Sequence, residues 1–355
     1  MKVLHVIHKL NPGGIETWLK DLAIYNEKVK SHDIFILTQT KEKAFYDEIC
    51  CCLDNTHLVK MEKPGRFFAY TKQLYSYMVN KDFDVVHSHT GLFSGWIAFV
   101  AYLARVKVRV VHVHTDKIDL TSNVKKTYAF IMKRFMHMFS SHKIAVSNNA
   151  NLQFFLSDKN THIIPCGINF VENPTYLSKE KLGFKVDDVV LCHVGRFNKV
   201  KNHIFLIDLV FSLPEKYKLL LVGDGVESIS IQKLVKDRGL QARVIFLGQR
   251  SDVPSILKHV ADLFLLPSHF EGFGLAAVEA QHYGVKTLVS NKVPETVNIS
   301  NYCYFLPISD PLEWKQFVLK FTDKNNHYSS AKKACDNNAY SICDNVAKIN
   351  NIYIN

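Results

Sequence analysis

The stretch Leu263-Phe264-Leu265-Leu266-Pro267-Ser268-His269-Phe270-Glu271-Gly272-Phe273-Gly274-Leu275-Ala276-Ala277-Val278-Glu279 packs a strand, a loop and a helix start into seventeen residues. The four leading apolar residues read as a fully buried strand, and Pro267 ends it. Gly272 and Gly274 flank Phe273, and a helical spacing opens near Gly274. Free N–H groups at such a helix start suit an anion or a hydroxyl-rich ligand. Glu271 precedes the helix and Glu279 lies about a turn and a half inside it, so the two carboxylates meet a crevice at different depths. Capping accounts for a carboxylate at Glu271. It leaves Glu279, on a largely apolar helix, unexplained.

The same strand–loop–helix pattern recurs in both directions. Val189–His193, Lys218–Val222, Arg243–Leu247 and Thr287–Val289 read as further buried strands in the second half. Val3–Ile7, Asp33–Leu37, Asp84–His87, Val108–His112 and Lys143–Val146 do so in the first. Helical spacing follows several of them, at Glu16–Asn26 and Phe93–Ala104 for example. Alternation of this kind demands crossover connections and a parallel sheet covered on both faces. A break at Pro165-Cys166-Gly167 interrupts it. The chain is therefore expected to be α/β, with a first doubly wound domain over 1–172, a second over 173–335, and a helical tail over 336–355. Ligands of such sheets sit beyond the carboxyl ends of the strands.

Composition agrees and excludes little. At 355 residues, 47% hydrophobic and 22% charged, the chain is long enough for two globular domains. Eight cysteines, including Cys50-Cys51-Cys52, show neither metal-ligand nor disulfide-framework spacing. The longest apolar run, Leu92 to Ala104, is too short for a bilayer, and the N-terminus lacks a signal-peptide pattern. The expected location is the cytoplasm. Of the +11 net charge, the first 173 residues hold 22 basic against 15 acidic groups, and the rest 22 against 18. A basic first half suits phosphorylated substrates, an anionic membrane or nucleic acid. Residues 125–143 carry Lys125, Lys126, Lys133, Arg134 and Lys143 among large apolar side chains without one acid. Such a helix can lie on an anionic membrane or pack on the sheet with a solvated basic edge. No nucleic-acid motif appears, so nucleic acid is not an expected partner.

Three more strand-following loops bear on chemistry. Asn11-Pro12-Gly13-Gly14 sits before a helix, where backbone N–H groups can meet an anion. Gly195-Arg196 with Lys201 sets two cations at a strand end, a pairing that suits a diphosphate. Gly223-Asp224-Gly225 is half of a dinucleotide fingerprint, with Ser228 where a third glycine belongs, so a nicotinamide site is disfavoured. His87 with His89 and His112 with His114 are same-face pairs, but no cysteine or carboxylate completes a metal set, and no metal is expected. His89 and His114 lie nearest the loops and are candidates for substrate contact.

Together these loops resemble the family-four retaining glycosyltransferases of the GT-B fold, in the expected order along nearly the whole chain. The matching pieces are Gly13-Gly14, His114, Ala145-Val146-Ser147, Ile164 to Asn169, Gly195-Arg196 with Lys201-Asn202, Val222 to Gly225, Phe246-Leu247-Gly248, and the Glu271/Glu279 pair. Within that family the chain looks most like enzymes that assemble bacterial capsular, exopolysaccharide or O-antigen chains. The resemblance implies two Rossmann-like domains facing a central cleft, and a nucleotide-sugar donor without a metal or other cofactor. It implies that Arg196 and Lys201 bind the donor diphosphate. Gly272, Phe273, Gly274, Leu275, Gly13 and Gly14 would complete that cradle, with Gly223 alongside. Glu271 would bind the transferred sugar, Glu279 the ribose, and the stretch around Leu247 would frame the base. His114 would stand near the reacting carbon, with His89 beside it, facing a saccharide or lipid-linked acceptor. Arg196, Lys201, Glu271 and His114 are thus the expected catalytic group. Cys166 stands where the family often has Asn, a departure expected to affect only the turn. A nucleotide-sugar epimerase, and a basic scaffold for membrane or nucleic acid, are the competing functional readings.

Overall fold

The structure, a computed structural model, describes residues 1–62, 67–115, 118, 120–156, 159–300, 302–321 and 340–354. The chain divides into two compact units, one of 1–169 with 339–355, the other of 170–338. The division thus falls at 169/170, three residues before the sequence-based boundary.

The first unit is a seven-stranded sheet of β1 (Lys2–Ile7), β2 (Asp33–Thr38), β3 (Thr56–Lys60), β4 (Val85–Ser88), β5 (Val108–Val113), β6 (His142–Ala145) and β7 (Thr161–Ile163), in the order β3-β2-β1-β4-β5-β6-β7. Every pairing is parallel. The second unit holds β8 (Val189–Val194), β9 (Tyr217–Val222), β10 (Val244–Phe246), β11 (Leu263–Leu266), β12 (Lys286–Ser290) and β13 (Cys303–Leu306), in the order β10-β9-β8-β11-β12-β13, again all parallel. Both units are therefore doubly wound. Their strand order reverses between β1 and β4 in one and between β8 and β11 in the other, and a crevice opens at each reversal.

Three strands were not read from the sequence: β3, β7 and β13. Each lies at a sheet edge, and each is only partly buried along its length. β3 (Thr56-His57-Leu58-Val59-Lys60) and β7 (Thr161-His162-Ile163) lack the continuous apolar run that marks a central parallel strand, whereas β13 (Cys303-Tyr304-Phe305-Leu306) is apolar but only four residues long.

The helix Ile342–Ile354 belongs to the first unit, where Ile342, Val346, Ile349, Ile352 and Tyr353 are buried at helical spacing. Its seat is polar as well. The fully buried Trp18 donates from Nε1 to Asn345 Oδ1 at 2.7 Å, and Asn345 Nδ2 donates to Pro165 O at 2.5 Å. A Cβ on Gly167 would stand 2.6 Å from the Asn345 Cβ, so only glycine lets the helix approach this closely.

Candidate functional site

The loops after β8 and β11 meet because those strands are neighbours at the reversal of the second sheet. Their backbones are stitched together. Asn198 caps a short 3₁₀ turn, Lys199–Lys201, by accepting from Lys201 N at 3.1 Å. Asn202, with φ of 57°, turns the chain and donates from Nδ2 to Pro267 O at 3.2 Å. His269 N donates to Val200 O at 2.8 Å.

This stitching delivers Lys201 to Glu271. Lys201 Nζ lies 2.5 Å from Glu271 Oε1, with the two side chains 19% and 10% exposed. Ser268 Oγ, itself fully buried, donates to the same oxygen at 2.6 Å. Among the described residues, the hydrogen bonds to the Glu271 carboxylate fall on Oε1. Arg196 is exposed and stands two residues past the end of β8. Ser268 was not singled out as a site residue. Its signal was its place, first after the residue that ends β11.

Gly274, with φ of 88°, opens the helix Leu275–His282; Ala277 N donates to Gly274 O at 2.9 Å, and the N–H groups of Leu275 and Ala276 before it precede the first intrahelical bond. Gly272 is half-buried and Phe273 buried beside them. Glu279 is half-buried on that helix between the buried Val278 and Ala280. Leu247 continues the sheet edge by donating from N to Leu221 O at 3.0 Å.

Gly223 has a different reason to be glycine from close approach to a ligand. At φ of 132° its Cβ would fall 2.1 Å from Gly195 O, while a Cβ on Gly225 would fall 2.4 Å from Phe197 O. These glycines let the loop after β9 press on the one that carries Arg196 and Lys201.

In the first unit, Gly13 precedes the helix Gly14–Val29 in an extended conformation open to any residue. Behind that helix, His5, His87, His89, His112 and His114 gather around Trp18 on one face of β1, β4 and β5. His5 Nδ1 and His89 Nε2 are 3.0 Å apart, as are His89 Nδ1 and His114 Nε2. His87 Nε2 meets His112 Nδ1 at 3.2 Å, and its Nδ1 meets the Tyr353 hydroxyl at 2.6 Å. Burial pushes His5 and His114 down to about 3 and holds His87, His89 and His112 well below the usual imidazole range. All five rings are neutral at pH 7.

His114 has both ring nitrogens engaged inside the unit, Nε2 with His89 and Nδ1 with Cys166 Sγ at 3.3 Å. Cys166 thus does more than shape a turn. The two histidine pairs, separate in the sequence, form one cluster with His5, which the sequence did not connect to them.

The helix Asn123–Phe139 buries only Ala129, Met132 and Met136, and leaves Val124, Phe130 and Met138 largely exposed among its cations. Among the described residues no helix is long and apolar enough to cross a membrane.

Residues 12–171 match the family model described as Glycosyltransferase Family 4, and residues 176–339 match Glycosyl transferases group 1. The chain is 28% identical over 338 residues to the putative glycosyltransferase EpsF of Bacillus subtilis (strain 168), covering 90% of this chain and 87% of that one. It is 25% identical to the capsular polysaccharide biosynthesis glycosyltransferase CapH of Staphylococcus aureus, covering 100% and 99% of the two chains. Among solved structures, Anabaena Alr3699/HepE in complex with UDP and glucose superposes with a TM-score of 0.81 at 19% identity, covering 99% and 98% of the two chains.

Proposed function

Because the chain belongs to the GT-B glycosyltransferases, family 4 in its first half and group 1 in its second, we propose that it moves a hexose-type sugar from a UDP- or GDP-sugar to a saccharide or lipid-linked saccharide. The setting we propose is bacterial surface polysaccharide synthesis, in which CapH is named.

The observation that carries this reading is the Lys201–Glu271 pair, held at 2.5 Å with Ser268 on the same oxygen. A cation and a carboxylate fixed side by side suit a ligand whose phosphate adjoins a sugar. Lys201 and the neighbouring Arg196 hold the diphosphate, the Arg through its planar fork and the Lys as a point charge. Glu271 accepts from sugar hydroxyls through Oε2, and Glu279 from the ribose. Leu247 frames the base. The N–H groups from Gly272 to Leu275 complete the anion cradle.

The chemistry we assign is retaining and uses no metal at the reacting atoms. The bond from the anomeric carbon to the phosphate oxygen breaks, and the acceptor oxygen bonds to the same face. The acceptor's proton passes to the departing phosphate oxygen, while Arg196, Lys201 and the helix-start N–H groups stabilise the charge that develops there. His89 and His114, expected on the acceptor side, turn their ring nitrogens inward, so the acceptor is left to other groups of the first unit. The apolar, basic helix Asn123–Phe139 supports a lipid-linked acceptor, since such a face can rest on an anionic leaflet.

A panel of UDP- and GDP-sugars tests the reading. At least one is expected to be consumed only when acceptor is present, with the sugar recovered on the acceptor. Conversion of donor to an isomer without acceptor would instead mark an epimerase and overturn it.

A further inference from the structure

We propose that His89, His112 and His114 form a binding site for a divalent transition metal of the zinc class, in addition to the donor site and independent of it. The three side chains come from the carboxyl ends of β4 and β5 and offer ring nitrogens lying within 4.8 Å of one another. His89 Nδ1 and His114 Nε2 are already 3.0 Å apart. A tetrahedral zinc bound by imidazoles at about 2.0–2.1 Å separates its ligand atoms by roughly 3.3 Å, so a few tenths of an ångström admit the ion.

The third ligand is marked by a deficit. His112 Nε2 is buried without a hydrogen-bond partner, in a ring that is wholly inaccessible. A polar atom in that position carries an unrecovered desolvation cost, which a metal bond removes.

The surrounding contacts fit the same assignment. In a metal site of this kind, each ligating imidazole donates its other N–H to an outer partner that fixes the tautomer. Here the other nitrogen of His89 meets His5 Nδ1, that of His112 meets His87 Nε2, and that of His114 meets Cys166 Sγ. The chain extends one step further, because His87 can then donate from Nδ1 to the Tyr353 hydroxyl. One consistent set of tautomers satisfies each of these outer contacts and leaves His89 Nδ1, His112 Nε2 and His114 Nε2 as lone pairs, so that the 3.0 Å approach of His89 Nδ1 to His114 Nε2 is satisfied by a cation between them. His114 is the one ligand of the three that is only half-buried, which gives a fourth position to water or an anion from that side. Three neutral imidazoles and one open position suit Zn²⁺ or Co²⁺ and not Mg²⁺ or Ca²⁺, which seek oxygen.

The test uses the untagged full chain, stripped with a chelator and titrated with Co²⁺ and Zn²⁺ alone. About one ion per chain is expected to survive desalting, with the visible absorption of tetrahedral cobalt and a raised melting temperature. The Trp18 ring lies 5.3, 5.4 and 5.7 Å from the rings of His89, His112 and His114. Its indole N–H resonance must therefore broaden with Co²⁺, a readout that needs no variant. His112→Phe is expected to abolish cobalt absorption while leaving donor-induced stabilisation in place. Loss of the ion on desalting, an unchanged Trp18 resonance, or undiminished binding in a folded variant would overturn the site.

Discussion

Ser268 and Lys201 converge on a single oxygen, Oε1 of Glu271, at 2.6 and 2.5 Å from opposite sides of the crevice between β8 and β11. One carboxylate oxygen is thereby fixed by the protein, and the rotamer of Glu271 is set before any ligand arrives. Preorganisation of this kind lowers the ordering cost of binding.

Removing the hydroxyl therefore acts through Glu271. Ser268→Ala deletes a hydrogen bond to a charged group, about 1.5–3 kcal/mol. Donor affinity is expected to fall by roughly tenfold to a hundredfold with the fold intact, and Ser268→Thr is expected to restore most of it. Calorimetric titration of both variants with the donor decides the matter. Equal affinity of Ser268→Ala and the parent chain would contradict the role.

Two glycines with positive φ should respond differently to the same methyl group. Gly223→Ala meets Gly195 O as well as a disfavoured backbone, whereas Gly248→Ala, at φ of 63°, meets nothing within 4 Å. The second is expected to cost roughly 1–2 kcal/mol and the first at least about 3 kcal/mol, because overpacking adds to strain. Urea midpoints of the two variants give the comparison.

Acid should weaken the second unit through His193 and His203. Burial holds His203 at about 4 and His193 well below the ordinary value of 6.5. Both nitrogens of His203 and Nε2 of His193 are buried without partners, and Lys201 nearby opposes a positive ring. Depressed imidazoles bind fewer protons folded than unfolded, so their stabilisation is complete above pH 6.5 and is lost as pH falls toward 4. His203→Phe, whose ring can keep the 4.0 Å stack on Phe197, is expected to flatten that part of the pH–stability curve. An unchanged slope would contradict the assignment.

The helix Ile342–Ile354 is held by Asn345, which bonds both Trp18 and Pro165. Asn345→Ala leaves the buried Trp18 N–H unsatisfied, at about 1–3 kcal/mol, and strips the half-buried Pro165 O of its donor. A lowered melting temperature and an exposed Trp18 fluorescence are the expected signs.

Much of this architecture could be read directly from residues. Central strands such as β8 and β11 are continuous apolar runs, and the loops they feed announced Arg196, Lys201, Glu271 and Glu279 by charge and glycine. Of the edge strands not read, β3 and β7 mix polar with apolar residues and so lack that signature, while β13 is apolar throughout but only four residues long. The histidine cluster was visible only as two pairs. Its unity depends on β1 lying beside β4, a neighbour relation that no local spacing encodes, and on Trp18 packing over both. Gly223 was legible as a special glycine, but only the fold shows that the backbone it admits is Gly195. Ser268 was quoted within its motif, yet its hydrogen bond to a carboxylate three residues on is a matter of loop geometry.

The central claim, that Arg196, Lys201 and Glu271 hold the diphosphate and sugar of a nucleotide-sugar, is tested most directly by the melting temperature of the chain against UDP- and GDP-sugars. A rise with at least one of them is expected in the parent chain and is expected to vanish in folded Arg196→Ala and Glu271→Ala variants. No rise with any nucleotide-sugar, or an equal rise in both variants, would contradict it.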